Sequence, residues 1–170
     1  MSNKTRNLSL AALFSAFSVI SLYIASVWPT GQLGLTAVAS LFVAAAVIES
    51  GISYGIYVFI VSSVVSILIV PNRLTPILFI LFFGYYPIVK SLIEKQSHIT
   101  LQILSKLLVF NISFAVIFYI FNELVIAFIS FELHTVFILL IANIVFLLFD
   151  YGYSKLIWFY INRISSVINK

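Results

Sequence analysis

The sequence predicts an all-α integral membrane protein, a bundle of six transmembrane helices with both termini in the cytoplasm. The first reason is composition, because 63% of the 170 residues are hydrophobic and 8% are charged. Soluble domains carry about 25% charged residues to face water. The second reason is that apolar runs near the roughly 20 residues needed to span a bilayer recur along the chain. The third is the one-sided distribution of the basic residues.

The first predicted helix covers residues 8–28 and follows a short polar start that contains Lys4. Its uncharged run is longer than the roughly 7–15 apolar residues of a signal peptide, so we expect it to remain in the mature protein. Pro29 and Gly31 end the run, because proline cannot continue a helix and glycine favours a turn.

The second, third and fourth helices are predicted at residues 34–50, 52–70 and 74–89. The second is rich in small residues and joins the third through a very tight connection. Pro71 breaks the third helix, whereas Pro76 suits the first turn of the fourth, where its missing N–H would have no partner.

A polar loop is predicted at residues 90–106, the longest polar stretch of the chain. Two further helices follow at residues 107–129 and 135–153. Beyond them, basic and aromatic residues alternate to about residue 168, which predicts a helical extension that lies in the membrane interface. No stretch is polar enough for a separate soluble domain, so residues 1–170 form one transmembrane domain.

The orientation follows from the basic residues. Six spans place both termini on one side, and of the nine basic residues only Arg73 falls on the other side. Positive charge marks the cytoplasmic side, so we expect a multi-pass protein of the cell membrane. The residues on the terminal side are Lys4, Arg6, Lys90, Lys95, Lys106, Lys155, Arg163 and Lys170.

The sequence carries no signature of an enzyme. It has no cysteine, which excludes disulfides and thiolate metal sites. The two histidines, His98 and His134, fall on opposite sides of the predicted membrane, so they cannot share a metal or a proton relay. The chain also has no phosphate-binding glycine motif. We therefore predict no catalytic residue, metal or cofactor, and no nucleic-acid partner, because the net charge of +4 serves topology.

An inner polar layer is the first candidate site. Glu49, Lys90 and Asp150 all lie about 22–24 Å from the outer helix ends, at about 1.5 Å per residue. Asn111 lies nearby, and ionisable groups inside a membrane segment are expected to have a function. The three charges form an inner ion-pair layer in this interpretation. In the alternative interpretation, each side chain reaches separately to the cytoplasmic headgroups.

An outer polar cluster is the second candidate site. Arg73 is the sole outer cation, and a guanidinium among neutral polar groups suits a carboxylate or phosphate of a small polar substrate. The alternative is a set of ordinary loop residues, with Arg73 paired to Glu123 or Glu132. The other candidate binding residues are Thr30, Gln32, Asn72, Asn122 and Glu123.

Pairs of small residues at a spacing of four recur in the first three helices, at Ala12 and Ala16, at Ser40 and Ala44, and at Gly51 and Gly55. Such pairs let two helix backbones approach closely. These pairs serve either close helix packing inside the bundle or the docking of another membrane protein.

With six spans, cytoplasmic termini and the alanine pair at Ala12 and Ala16, the chain resembles the substrate-binding S component of energy-coupling-factor transporters. The resemblance implies that this pair contacts a transmembrane coupling subunit that works with ATPases. It also implies a vitamin-like substrate near the outer face, enclosed by the loops after the first and third helices and by the later helices. The implied pocket or lid residues are Thr30, Gln32, Asn72, Arg73, Asn122 and Glu123.

Two other functions stay open. In length and helix count the chain also resembles rod-shape-determining membrane proteins, which implies a scaffold that transports nothing. A secondary transporter is the third interpretation, although inverted repeats and broken helices at the midplane are its usual marks. An outer concave pocket that contains Arg73 favours the binding subunit, whereas a scaffold predicts that phenylalanine and isoleucine fill this region.

Overall fold

A computed structural model describes residues 3–120 and 135–165 of the chain, and every element in these two ranges is helical. Six of the described helices are long and apolar enough to cross a membrane. The predicted all-helical architecture with six spans is therefore confirmed. The helices are α1 (Asn3–Val27), α2 (Gln32–Ser50), α3 (Ile52–Ile69), α4 (Leu74–Ile93), α5 (Ile99–Ile120) and α6 (Thr135–Tyr160, continued by a π-helical turn at Ile161–Ser165).

The polar loop predicted at residues 90–106 is much shorter in the structure. Helix α4 continues to Ile93 and α5 already begins at Ile99. The charges of Lys90 and Lys106 were interpreted as the ends of two spans, but both side chains lie inside the bundle and are paired with carboxylates. Because their charges are paired with carboxylates, Lys90 and Lys106 do not need contact with water and can lie within a helix.

Helix α6 runs without a break past residue 153 to Tyr160. The predicted extension to about residue 168 is therefore helical up to Ser165, and its place in the membrane interface stays a prediction. Residues 166–170 lie outside the described ranges. The same holds for residues 121–129 of the predicted fifth helix.

Two turns show why the helices end where they do. Gly51 has a φ of 94°, a value that glycine adopts without steric cost, and its N–H bonds to the carbonyl of Val47 at 3.0 Å. Val70 is extended before Pro71, as a residue that precedes proline prefers. The Oδ1 atom of Asn72 then accepts a hydrogen bond from the N–H of Leu74 at 3.0 Å and starts α4.

Helix α4 contains a wider, π-helical turn at Phe79–Phe83, after which a second α-helical segment runs over Tyr86–Ile93. Pro87 explains the break, because it has no N–H and its ring would collide with the carbonyl of Phe83 in a continuous α-helix. Gly84 closes the wide turn, with its N–H 2.6 Å from the carbonyl oxygen of Phe79. Wide turns of this kind are frequent at functional sites.

Helices α1, α2 and α3 pack most closely on one another, and α4 is the most buried span. Half of the residues in the central window of α4 are buried (50%), against 11% in α5 and 11% in α6. The last two helices therefore meet the remainder of the bundle along limited surfaces. Gln32, at the start of α2, contacts Thr75, at the start of α4, and these residues mark the far end of the bundle. Lys90, near the end of α4, contacts Asp150 of α6, and these residues mark the opposite end, which is called the terminal end.

Candidate functional site

Four charged side chains form a cluster near the terminal end of α4, α5 and α6. Lys90 Nζ lies 2.5 Å from Asp150 Oδ1 and 2.7 Å from Glu94 Oε1. Lys106 Nζ lies 2.7 Å from the same oxygen of Glu94 and 2.9 Å from Asp150 Oδ2. Each lysine thus contacts both carboxylates. The charge cluster, Lys90, Glu94, Lys106 and Asp150, has no net charge and connects three helices.

Neutral groups complete the hydrogen bonds of this cluster. Tyr86 donates its hydroxyl hydrogen to Asp150 Oδ1 at 2.6 Å, and Lys90 donates to the hydroxyl of Ser154 at 2.8 Å. The three N–H groups of Lys90 therefore have three acceptors, and its side chain is only 2% exposed. A buried charge is tolerated when it is paired and fully hydrogen-bonded in this way.

Glu94 is the most exposed member of the charge cluster and lies beyond the last turn of α4. Its partial burial acts to raise the pKa of the carboxyl group, but hydrogen bonds from Lys106 and Lys90 act more strongly together and lower the pKa below its ordinary value. The carboxylate therefore stays ionised at neutral pH, which keeps the cluster electrically neutral.

The structure divides the predicted inner layer. It brings Lys90 and Asp150 together, and Lys90 is buried instead of reaching separately to the headgroups. Glu49 lies elsewhere, where its Oε1 atom accepts a hydrogen bond from Tyr160 at 3.3 Å. Asn111 exchanges hydrogen bonds of 2.8 and 3.2 Å with Asn143. Similar depth along the helices therefore did not predict which of these side chains pair.

Sequence reasoning missed three members of this site, Glu94, Lys106 and Tyr86. One available signal was the spacing of Lys90 and Glu94, since residues four apart on a helix are neighbours. The helical spacing could not be applied to Lys90 and Glu94, because the predicted loop began at residue 90. The contacts of Lys106 and Tyr86 with Asp150 join residues 44 and 64 positions apart, so no local pattern contains them.

The outer polar candidates that the structure describes lie at the start of α2 and in the turn before α4. Gln32 donates to Thr75 at 2.8 Å, and Thr30 accepts a hydrogen bond from the indole of Trp28 at 2.9 Å. Asn72 starts α4, and exposed Arg73 donates to the carbonyl of Ile67. The bonds of Thr30, Asn72 and Arg73 lie within their own turns, whereas that of Gln32 joins α2 to α4. Two further candidates, Asn122 and Glu123, lie outside the described residues, as do Glu132 and His134.

A cavity of about 430 Å³ lies between α2, α4, α5 and α6, on the far-end side of the charge cluster. Its lining residues are almost all apolar, and six of them are phenylalanines. This apolar cavity is lined by Leu33, Gly34, Ala37, Leu78, Phe82, Phe83, Phe110, Ser113, Phe114, Ile117, Ala142, Val145, Phe146 and Phe149. None of the described lining residues is charged, and Arg73 is not among them.

Stacked and edge-on rings connect the apolar cavity to the charge cluster. Phe110 and Phe146 are stacked, with ring centroids 4.5 Å apart, and Phe82 meets Phe146 edge-on at 6.0 Å. Tyr86 packs on Phe82, with 5.1 Å between the centroids, and its hydroxyl bonds to Asp150. Tyr86 therefore contacts both the aromatic wall of the cavity and the charge cluster.

Of the small-residue pairs, the structure buries one, exposes one and divides the third, in which Gly51 is exposed and Gly55 is buried. Ser40 and Ala44 lie in the bundle core. Gly55 is also buried, and its Cβ position is only 2.3 Å from Val47 Cγ2, so a larger residue would not fit. Ala12 and Ala16 instead lie on the exposed face of α1.

The described residues contain no group of three or more histidine, cysteine, aspartate or glutamate side chains arranged to hold a metal. Comparisons with protein-family models, with curated proteins and with solved structures found no match to this chain. The site must therefore be interpreted from its own chemistry: an apolar cavity, a neutral charge cluster beside it and an exposed small-residue face on α1.

Proposed function

We propose that this chain is the substrate-binding membrane subunit of an importer and that the apolar cavity is its binding site. The observation that carries the proposal is the cavity itself. Its volume of about 430 Å³ lies within the range of about 300–1,000 Å³ that is typical of small-molecule sites. A pure scaffold has no need of such a space, since close packing stabilises its helices better.

The position of the cavity supports import. In the topology predicted from the sequence, eight of the nine basic residues lie on the side of the termini. The positive-inside rule therefore favours a cytoplasmic terminal end in the cell membrane and a cavity nearer the outer face. The chain has no nucleotide-binding motif, so energy would come from a coupling subunit with ATPases. The exposed face at Ala12 and Ala16 supports such docking, because small residues allow a second helix to approach closely.

Ligand binding is expected to raise thermal stability in a way that depends on the cavity. At 100 times its dissociation constant, a ligand stabilises the native protein by about 2.7 kcal/mol. We expect a vitamin and vitamin-precursor panel, extended with apolar compounds, to contain such a ligand for the purified protein. Gly34→Phe should abolish the shift, because the cavity lies beside Gly34 and no atom lies within 4 Å of its Cβ position.

Gly152→Phe is the matched control for this experiment. Gly152 also has no atom within 4 Å of its Cβ position, but it does not line the cavity. The control should therefore keep the full ligand shift. A panel without any hit on well-folded protein would contradict the binding subunit and favour the scaffold, the second candidate. The local hydrogen bond from Arg73 to the carbonyl of Ile67 is in line with the scaffold.

Docking through α1 is tested separately. Ala12→Trp together with Ala16→Trp should reduce the amount of coupling subunit and ATPase that co-purifies from native membranes by about tenfold or more, a factor that corresponds to about 1.4 kcal/mol. The bulky rings would keep a partner helix away from the backbone of α1. Val64→Trp, at a 54% exposed position on α3, is the control and should leave co-purification unchanged. Equal recovery with all three proteins would contradict the docking face.

A further inference from the structure

The apolar cavity offers a ligand no charge and no free hydrogen-bonding group among its described lining residues. Ser113 is the one hydroxyl in the wall. It donates to the carbonyl of Val109 at 2.7 Å and also shares a hydrogen bond with the hydroxyl of Tyr85. A charged or strongly polar ligand would lose its water without gaining partners here, and such transfers are unfavourable.

The nearest charges are occupied as well. Asp150 follows the cavity residue Phe149, but its carboxylate already binds Lys90, Lys106 and the hydroxyl of Tyr86. A ligand anion would have to compete with Asp150 for both lysines, and a ligand cation would have to displace them. The lysines and carboxylates of the charge cluster are thus already paired with one another and give a ligand no free charged group.

The wall presents ring faces and ring edges in a fixed arrangement. Phe110 and Phe146 lie nearly parallel, with 9° between their planes, and Phe82 stands at 76° and 72° to them. Aromatic rings attract one another in stacked and edge-on geometries beyond the effect of buried area alone. This wall can offer both geometries to a flat ring, whereas a saturated ligand gains only from buried area.

The volume of the cavity also limits the size of the ligand. An apolar cavity of about 150 Å³ is enough to bind benzene, and this one measures about 430 Å³. We infer that the ligand is an uncharged, flat aromatic molecule of two or three fused rings. The inference rests on the proposed function, since it names the substrate class of the same cavity, and it replaces the small polar solute expected from the sequence.

The test uses the full chain in lipid nanodiscs and radiolabelled naphthalene as the probe, with binding counted above the partition into empty nanodiscs. We expect saturable binding that falls at least tenfold in Gly34→Phe and is unchanged in Gly152→Phe. Ala142→Leu fills the cavity from α6 and provides a second variant if Gly34→Phe does not fold. It should weaken binding in the same direction.

Two competitor compounds test whether the ligand must be aromatic and whether it must be uncharged. Decalin has the same fused-ring skeleton without aromaticity, and 2-naphthoate has the same rings with a negative charge. We expect both to displace naphthalene at least tenfold less effectively than unlabelled naphthalene does. Equal competition by decalin would overturn the aromatic class and indicate a groove for any lipid-like chain or ring. Stronger binding of 2-naphthoate would overturn the uncharged class.

The two failures can be told apart. If decalin or 2-naphthoate displaces naphthalene from the normal protein and fails to bind in Gly34→Phe, the ligand class is wrong. The binding subunit then remains supported, because the same cavity binds another compound. Naphthalene binding that is absent, or that is unchanged in both cavity variants, would overturn the inference. The thermal-shift panel then decides on the proposed function independently, because it includes polar vitamins as well as apolar compounds.

Discussion

Replacing Asp150 with leucine is expected to lower the free energy of unfolding by about 3–5 kcal/mol, the usual cost of removing one partner from a buried ion pair. The change leaves Lys90 and Lys106, with side chains 2% and 9% exposed, facing only one carboxylate. It also removes the acceptor for the hydroxyl of Tyr86. Unfolding by sodium dodecyl sulfate in mixed micelles, followed by circular dichroism, measures the effect.

The double variant Lys90→Met with Asp150→Leu separates charge balance from packing. It leaves Lys106 paired with Glu94, so the remaining cluster is neutral again. We expect it to be more stable than Asp150→Leu alone, because no uncompensated charge is left in the bundle. Greater loss in the double variant than in the single one would contradict the argument from charge.

Lys155→Met is the matched control. Lys155 lies on the same helix as Asp150 and is exposed, with its ammonium group 5.5 Å from the ring centroid of Tyr151. An exposed contact of this type contributes about 0.5–1 kcal/mol. If Asp150→Leu costs no more than Lys155→Met, the charge cluster does not hold α4, α5 and α6 together.

Gly84→Leu is the second large effect, with an expected loss of about 3 kcal/mol, the upper end of the usual range for overpacking. The Cβ position of Gly84 lies 2.6 and 2.7 Å from two ring atoms of Phe59 and 2.8 Å from one of Phe79. Phe79 is fully buried (0% exposed), so its ring has no free space to move into. The wide turn of α4 therefore requires glycine at this position.

Gly84→Ala should give a smaller loss in the same unfolding assay, since one methyl group already meets both rings. Gly152→Leu is the control, because it adds the same side chain in open space. There we expect a gain of up to about 1 kcal/mol, as leucine favours a helix more than glycine does. A gain in Gly84→Leu would show that α4 tolerates a side chain at the turn and that its path depends on Pro87 alone.

Two charged residues, Arg73 and Lys106, show what the sequence could not predict about the candidate sites. Arg73 was selected because it is the sole outer cation, but a charge count along the chain cannot tell whether a guanidinium faces a cleft or its own loop. Lys106 was assigned to a loop for a similar reason. The assignment of Lys106 to a loop treated a charge as evidence of water, whereas in a bundle a charge is also stable beside an opposite charge. The binding role of Arg73 stays a prediction.

By itself, the sequence determined the all-helical architecture, the six spans and most of the turns. These depend on hydropathy over about 20 residues and on local breakers such as Gly51 and Pro71, so neighbouring residues along the chain contain the information. Only the tertiary structure decided which charges meet, that Ala12 and Ala16 face outward, and that phenylalanines line a cavity. Those features depend on how helices far apart in the chain rotate and pack against one another, and in a chain that is apolar on nearly every face, hydropathy does not specify that rotation.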